Sequence, residues 1–316
     1  MELAWAALLG TLFAGYLVLG GYDYGVGLLL AGEPDPGRRR TALTAVGPFF
    51  LGNEVWLVVT LGVLFGAFPR LEGELLAGFY PAIVVALTGV VLVTASVQLR
   101  SRPATAPARA RWDRVIIAGS ALAALGWGAF AGGVVQGHDA DAHPIAQMLT
   151  PFVAACALAL IALVALHGAT FLALRLPAEL AAKPVAAAKR LVPAVIAAVA
   201  LAAVIGILTA RVRQNAPPAV LAALGLLVLL VLLAGRLARR GRPGWAFVVT
   251  CAAMAAPVLV VGLALGADLT AAAAPPATLR LLSWVAVPIV PVLIGFQAMS
   301  WWIFRGRVDG RTPVYW

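Results

Sequence analysis

Charged residues are scarce in this sequence. Only 11% of its 316 residues are Asp, Glu, Lys or Arg, whereas soluble domains usually carry about 25%. Hydrophobic residues instead make up 63% of the chain. This balance excludes an ordinary soluble domain and predicts a polytopic α-helical membrane protein.

Cysteine is almost absent as well. Cys156 and Cys251 both lie inside apolar runs, where cysteine usually packs as a small hydrophobic residue. We expect neither a disulfide nor a metal site from them. The sequence also lacks a haem c attachment motif, a phosphate-binding glycine loop and a nucleophile elbow. The N-terminal stretch has no basic region or clear cleavage site, so we interpret it as a retained first span.

Long apolar runs dominate what is present. A helix needs about 20 mostly apolar residues to cross a bilayer. The longest connections between such runs, near 31–45, 100–114 and 175–190, are rich in Arg, Pro and Ala, and we interpret them as loops. No soluble domain fits between the runs. Nine predicted spans result: roughly 4–30, 46–68, 76–99, 115–136, 146–174, 191–210, 217–235, 245–266 and 280–304.

The basic residues indicate the orientation of these spans. Of the 23 Lys and Arg residues, 19 fall in every second connection or in the C-terminal tail. Because Lys and Arg accumulate in cytoplasmic loops, we predict an N-terminus outside and a C-terminus in the cytoplasm. The net charge of +10 then reflects topology, and we expect no nucleic-acid partner. Four basic residues fall on the opposite side: Arg70, Arg211, Arg213 and Arg280.

Three ionisable residues interrupt the spans at a similar depth: Asp23, Glu54 and His167. Counted from the span ends at about 1.5 Å per residue, all three lie some 10–12 Å below the cytoplasmic surface. A carboxylate at membrane depth costs roughly 2.5–3.5 kcal/mol even on a mild insertion scale, so each needs a partner or a function. We predict a polar pocket that opens inward, with Gln98 and Arg100 nearer the surface.

A structural role is the alternative for each of these residues. Asp23 could bond backbone groups beside its neighbouring glycines, and Glu54 could pair with Arg100. His167 could be a satisfied packing group. The functional alternative is proton handling or contact with a cofactor.

Small residues surround the first two acids. Gly21 and Gly25 form a G-x-x-x-G pair, and Gly27 follows. Such spacing lets helices approach closely. We predict helix packing at these positions and at Gly52 and Asn53.

The outer loop "QGHDADAH" contains a weak candidate for a metal site. Two imidazoles and two carboxylates could bind a metal such as zinc. The spacing is loose and the loop is short, so a solvated acidic loop is the favoured interpretation. The candidate ligands are His138, Asp139, Asp141 and His143.

Several motifs, taken in order, carry a resemblance to a known family. They are "GYDYGVGLLL", "GPFFLGNEVWLV", "LR" at 99–100 ahead of "RWDRV", "VVQG", "HGATFLALR" and "FQAMSWWIFRGRV". In order and spacing the chain resembles subunit II of cytochrome bd quinol oxidases over its whole length. The combination is specific, although no single motif would be.

The resemblance implies a fold of nine transmembrane helices in one transmembrane domain of residues 1–316. The domain would consist of two four-helix bundles, 1–136 and 146–266, followed by a peripheral ninth helix, 280–304, and a cytoplasmic tail, 305–316. The chain would lie in a bacterial cytoplasmic membrane.

The resemblance also implies a function in quinol oxidation and reduction of dioxygen to water, with protons taken from the cytoplasm. Haems b and d and the quinol site would lie mainly in a partner, subunit I. This chain would be a haem-free scaffold without an axial ligand that contributes to proton delivery. Further expected partners are membrane lipid, a structural quinone and a small accessory subunit.

The sequence departs from the family pattern at two acids. Where the family usually has D-G-F-D, this chain has Gly20-Gly21-Tyr22-Asp23. Where the family usually has W-D-G-N, Leu51 replaces the acid. Those acids line the family's proton route, so the proton route in this chain is either moved to Asp23 and Glu54 or lost.

Two alternative functions remain for the chain. One is a structural paralogue without proton delivery, and the other is a secondary transporter, a class whose helices usually break near the midplane of the membrane.

Overall fold

The computed structural model describes residues 1–103, 105–139, 143–209, 212, 218–309 and 311–312. Asp141, Arg211 and Arg213 lie outside the described residues. Helices make up nearly all of the described chain, and a 3-10 turn, Leu30–Gly32, extends the first one. They are α1 (Glu2–Leu29), α2 (Pro36–Val46), α3 (Phe50–Ala67), α4 (Pro69–Gly78), α5 (Tyr80–Leu99), α6 (Ala106–Gln136), α7 (Pro144–Met148), α8 (Pro151–Arg175), α9 (Ala178–Leu208), α10 (Pro218–Arg239), α11 (Pro243–Leu265), α12 (Ala267–Ala271) and α13 (Pro276–Ile303).

Nine helices in the described part of the chain are long and apolar enough to cross a membrane. This number confirms the predicted count of spans. The four short helices α2, α4, α7 and α12 lie in the connections between them. The spanning helices are α1, α3, α5, α6, α8, α9, α10, α11 and α13.

The prediction that the longest connections are loops is wrong for much of their length. Helix α2 fills most of the first connection, α6 begins at Ala106, and α9 begins at Ala178. Ala and Arg are strong helix formers, so these helices continue beyond the apolar run that locates the membrane crossing. At the start of α2, Asp35 caps the helix by accepting hydrogen bonds from the N–H groups of Gly37 and Arg38.

Four helices, α1, α6, α8 and α11, form the centre of the fold, where each packs against the other three. Helix α3 packs against α1, and α5 packs against α6. On the other side, α9 packs against α8 and α10, and α10 packs against α11. The central group draws two helices from each predicted bundle, so a large contact surface joins the two sets.

Glycines make the closest of these central contacts. Gly25 in α1 lies directly against Gly168 in α8, and a Cβ at Gly25 would come within 2.7 Å of the Gly168 Cα. A Cβ at Gly21 would lie 2.7 Å from the Met254 side chain, and one at Gly27 would overlap Ser120. Only glycine permits α1 and α8 to approach this closely.

Helix α13 lies at the periphery. Only 11% of the apolar 18-residue stretch of α13 is buried, compared with 67% of the corresponding stretch of α8. Trp284 is 82% exposed on its outer face. On its inner face Phe296 lies against Gly52 of α3, where a Cβ would be 3.2 Å from the ring.

Candidate functional site

Asp23 lies at the contact between α1 and α3. The side-chain amide of Asn53 donates a hydrogen bond to Asp23 Oδ2 at 2.8 Å. The same nitrogen lies 2.8 Å from the Tyr22 hydroxyl and 3.2 Å from the Leu19 carbonyl oxygen. Asn53 is fully buried and connects the backbone and side chains of α1. It was predicted as a packing residue, but it is the hydrogen-bonding centre of this site.

Helix α13 completes this group of side chains. The Gln297 amide nitrogen donates to Asn53 Oδ1 at 3.1 Å. The other oxygens, Asp23 Oδ1 and Gln297 Oε1, are buried and have no hydrogen-bond partner among the described residues. Buried polar atoms normally have hydrogen-bond partners, so each unpaired one calls for a structural or functional explanation. We call Asp23, Asn53 and Gln297 the amide–carboxylate cluster.

An aromatic shell surrounds the amide–carboxylate cluster. Tyr22 stacks on Phe171 with ring centroids 4.4 Å apart, and Phe49 stacks on Trp301 at 4.8 Å. The Arg175 guanidinium lies over the Phe49 ring, 5.4 Å from its centroid. These residues belong to four of the sequence motifs, which lie far apart in the chain and converge here.

Glu54 has a separate set of contacts. It is partly exposed and accepts a hydrogen bond from the Thr94 hydroxyl of α5. The predicted alternative, a pair between Glu54 and Arg100, is wrong. Arg100 pairs with Asp113 of α6, and Arg39 lies 3.3 Å from the same carboxylate. Thr94 precedes Arg100 by six residues, or about 9 Å along α5, so Glu54 lies too deep for that pair.

His167 is fully buried and connects three helices. Its Nε2 donates to the Val18 carbonyl oxygen of α1 at 2.9 Å, and its Nδ1 lies 2.8 Å from the Thr250 hydroxyl of α11. The ring stacks on Phe247 with centroids 5.0 Å apart. Both ring nitrogens therefore have protein partners, as in the predicted packing role.

The predicted pocket is consequently divided. Asp23, Glu54 and His167 belong to three hydrogen-bonding groups, and no described hydrogen bond joins one of them to another. Gln98 is exposed on the outside of α5. Arg100 is buried in its ion pair and contacts none of the three. The sequence analysis grouped these residues because they lie at a similar depth along their helices. In the structure they lie on different helix faces, and this separates them.

The two positions that lack an acid differ in their surroundings. Leu51 is 54% exposed and points away from the core. Gly20 is buried between Tyr16 and Tyr24, whose hydroxyls are 2.8 Å apart. The indole nitrogen of Trp127 donates to the Tyr16 hydroxyl at 2.9 Å. A polar group therefore lies beside Gly20 although the residue itself carries no side chain.

The outer loop is held by amide contacts. The backbone N–H of Asp139 donates to the Gln147 side chain at 2.8 Å, and Gln147 donates back to the Asp139 carbonyl oxygen at 3.0 Å. His143 caps the short helix α7. Within the described residues, no group of three His, Cys, Asp or Glu side chains could hold a metal ion. Asp141 lies outside these residues, and His138 contacts an aromatic ring.

Sequence reasoning missed several residues of the site. Gln297 is an amide inside an apolar span, which is itself a signal of a buried polar contact. Asp113 was hidden in an arginine-rich stretch that we interpreted as a loop. The tyrosine pair carries no charge, so hydropathy gave no signal for it.

The fold and this site define a polytopic membrane protein in which four of the sequence motifs converge on one buried polar centre. Residues 1–304 match the family described as cytochrome bd terminal oxidase subunit II. The chain belongs to this family and is therefore part of an oxidoreductase complex of the membrane.

Individual proteins agree with this assignment. The chain is 28% identical over 361 residues to cytochrome bd-I ubiquinol oxidase subunit 2 of Escherichia coli K12, covering 98% of this chain and 95% of that one. It is 27% identical over 330 residues to cytochrome bd ubiquinol oxidase subunit 2 of Bacillus subtilis 168, covering 98% and 97%. The structure of bd oxidase from Geobacillus thermodenitrificans matches with a TM-score of 0.74, 13% identity and coverage of 96% and 98%, which shows a common fold.

Proposed function

We propose that this chain is the haem-free subunit II of a quinol:dioxygen oxidoreductase and that the amide–carboxylate cluster helps protons to leave the cytoplasm. One observation carries the proposal. Asp23 is buried, its only described side-chain partner is the neutral Asn53 amide, and its Oδ1 has no hydrogen-bond partner among the described residues. Asp23 can therefore gain or lose a proton without breaking an ion pair.

Glu54 is the proposed outer acid of this route. It follows Asn53 directly in α3, is partly exposed, and bonds the Thr94 hydroxyl. In this proposal Glu54 takes up the proton first and Asp23 receives it next, because positioned carboxyl groups can pass protons between them. Asn53 keeps the Asp23 carboxylate in a fixed position. Arg100 and His167 are not members of the proposed route, because their contacts lie elsewhere. Gln98 is not a member either, because it is exposed on α5.

The redox centres are assigned to the partner. Haems b and d and the quinol site would belong to subunit I, with which this chain would form a heterodimer in a bacterial cytoplasmic membrane. His167 supports this division, because Val18 and Thr250 already engage both ring nitrogens and none remains for haem iron. The N-terminus would lie outside and the C-terminus in the cytoplasm.

The experiment replaces Asp23 with Asn and Glu54 with Gln in the complete oxidase. We expect quinol oxidase turnover to fall at least about tenfold, a lower bound beside the roughly 10²–10⁴-fold that a positioned proton donor or acceptor contributes. The reduced-minus-oxidised haem spectrum should be unchanged, because the partner holds the haems. Glu72→Gln, a change at an acid of the short helix α4, is the matched control.

Turnover that stays at the control level in a fully assembled complex would refute the proton role. The chain would then be a structural subunit, the alternative favoured by Gly20 and Leu51, where the family's acids are absent. Loss of the partner or of its haem spectrum would instead show an assembly defect, which the Asp23→Asn single variant would separate from the proton effect.

A further inference from the structure

A cavity of about 370 Å³ lies where α9 begins and α10 ends. The tail after α13 and the first turn of α11 complete its rim. Small apolar side chains form most of its walls, including Ala173, Leu176, Ala181 and Val185. The cavity is therefore an apolar recess at the ends of the helices.

Three cations from three different segments border this recess. They are Lys189 of α9, Arg239 of α10 and Arg307 of the tail. All three are exposed, and no Asp or Glu is among the described residues that line the cavity. Three positive charges around one recess repel one another, and an anion would relieve that repulsion.

The tail is held in place, so the position of Arg307 is defined. Arg175 donates from Nη1 to the Gly306 carbonyl oxygen at 2.5 Å. The Val308 N–H donates back to the Arg175 carbonyl oxygen at 2.8 Å, and the Val308 side chain is buried. Arg307 lies between these two anchors and is kept at the rim of the recess.

We propose that this recess binds an anionic phospholipid, with the phosphate between Lys189, Arg239 and Arg307. Guanidinium groups bind phosphate oxygens in pairs, and lysine adds a compact positive charge. Basic recesses between transmembrane helices at the cytoplasmic side are suited to anionic lipid headgroups. A lipid fits better than free phosphate because the alanine-lined wall also offers an apolar surface to an acyl chain.

Native mass spectrometry of the complete oxidase tests the proposal, with dioleoyl phosphatidylglycerol as the probe and dioleoyl phosphatidylcholine as the neutral reference. The variant combines Lys189→Gln, Arg239→Gln and Arg307→Gln. We expect its apparent affinity for the anionic lipid to fall at least about tenfold, because each basic residue near a membrane surface adds to anionic lipid binding. Binding of the neutral lipid should not change.

The matched control combines Arg190→Gln, Arg240→Gln and Arg311→Gln. Each of these residues lies within four positions of one of the three cations in sequence but does not line the recess. This control removes the same charge, so a general loss of surface potential would lower the affinity equally in both triple variants and would overturn the proposal. Retention of lipid by the recess variant at the control level would overturn it too. Displacement of the lipid by millimolar inorganic phosphate would show a free-anion site instead of a lipid site.

Discussion

Asp23 and Asp113 are both buried aspartates, yet their partners differ in charge. Asp113 is 3% exposed and pairs with Arg100 and Arg39. Asp23 is 9% exposed, and its side-chain partner is the neutral amide of Asn53. Two guanidinium groups balance the charge of the Asp113 carboxylate, whereas no cation pairs with the Asp23 carboxylate among the described residues.

This difference in partners distinguishes an acid that stabilises the structure from an acid that is free to exchange a proton. The Asp113 group joins the ends of α5 and α6 to Arg39 of α2, so it ties together the connections at one end of the bundle. The Asp23 group lies inside the span and leaves one carboxylate oxygen without a described partner. Only the second arrangement allows protonation without the loss of an ion pair.

The largest expected effect is the difference in stability between a variant that lacks the Asp113 carboxylate and one that lacks the Asp23 carboxylate. Asp113→Asn leaves Arg100 buried without its counter-ion, which should destabilise the protein by about 3–5 kcal/mol. Asp23→Asn keeps a hydrogen-bonding oxygen for Asn53 and should change the stability by less than about 1 kcal/mol. The thermal unfolding midpoint of the purified oxidase measures both.

The double variant Arg100→Met with Asp113→Leu is the control for this contrast. Replacing a buried ion pair with apolar residues is often nearly neutral, so it should restore most of the stability that Asp113→Asn loses. Equal midpoints for the two single variants would show that the two aspartates are equivalent and would end the comparison.

A smaller effect is expected at the centre of the amide–carboxylate cluster. Asn53→Leu removes the amide that bonds Asp23 and the oxygen that accepts from Gln297. Leaving these buried groups unsatisfied should lower the stability by about 1–3 kcal/mol. The same thermal assay measures it, and Val55→Ala, at an exposed position of α3, should have little effect. An unfolding midpoint like that of Val55→Ala would show that the hydrogen bonds of Asn53 do not stabilise the protein.

The smallest effect is expected at a third aspartate, Asp35, which is exposed at the start of α2. The N–H groups of Arg38 and Gly37 donate to Asp35, which holds the pKa of that carboxyl below its usual range. A depressed pKa means that the capping contribution is present above the unfolded value, near pH 4, and is lost as pH falls through the folded value. Amide hydrogen exchange at the start of α2, corrected for its intrinsic pH dependence, should show less protection in this range.

Asn also caps helices well but does not titrate in this range. Asp35→Asn should therefore keep α2 protected at low pH where the natural residue loses protection. An identical pH profile for both proteins would show that the Asp35 charge has no part in the cap.

Hydropathy predicted the membrane class, the number of spans and the approximate position of each, because a span requires about 20 apolar residues wherever it packs. It also marked Asp23 and Glu54 as buried or partly buried acids. It misplaced the helix ends at Ala106 and Ala178, because helices continue past the membrane where helix-forming residues follow.

The partners of the polar residues could not be predicted in the same way. Depth can be counted along a helix, but the face that a side chain occupies depends on how the helices rotate against their neighbours. Asn53 and Glu54 are adjacent in the chain, yet one bonds Asp23 of α1 and the other bonds Thr94 of α5. The predicted pairing of Glu54 with Arg100 failed for this reason.

By itself, the sequence determined that this is a nine-span membrane protein with an ionisable acid inside each of its first two spans, because a segment must be long and apolar to cross a lipid bilayer. The tertiary structure alone decided that Asn53 and Gln297 meet Asp23, and that Asp113 takes Arg100. Contacts between residues as far apart in the chain as Asn53 and Gln297 exist only after close helix packing, such as that of Gly25 on Gly168, has fixed the rotation of each helix.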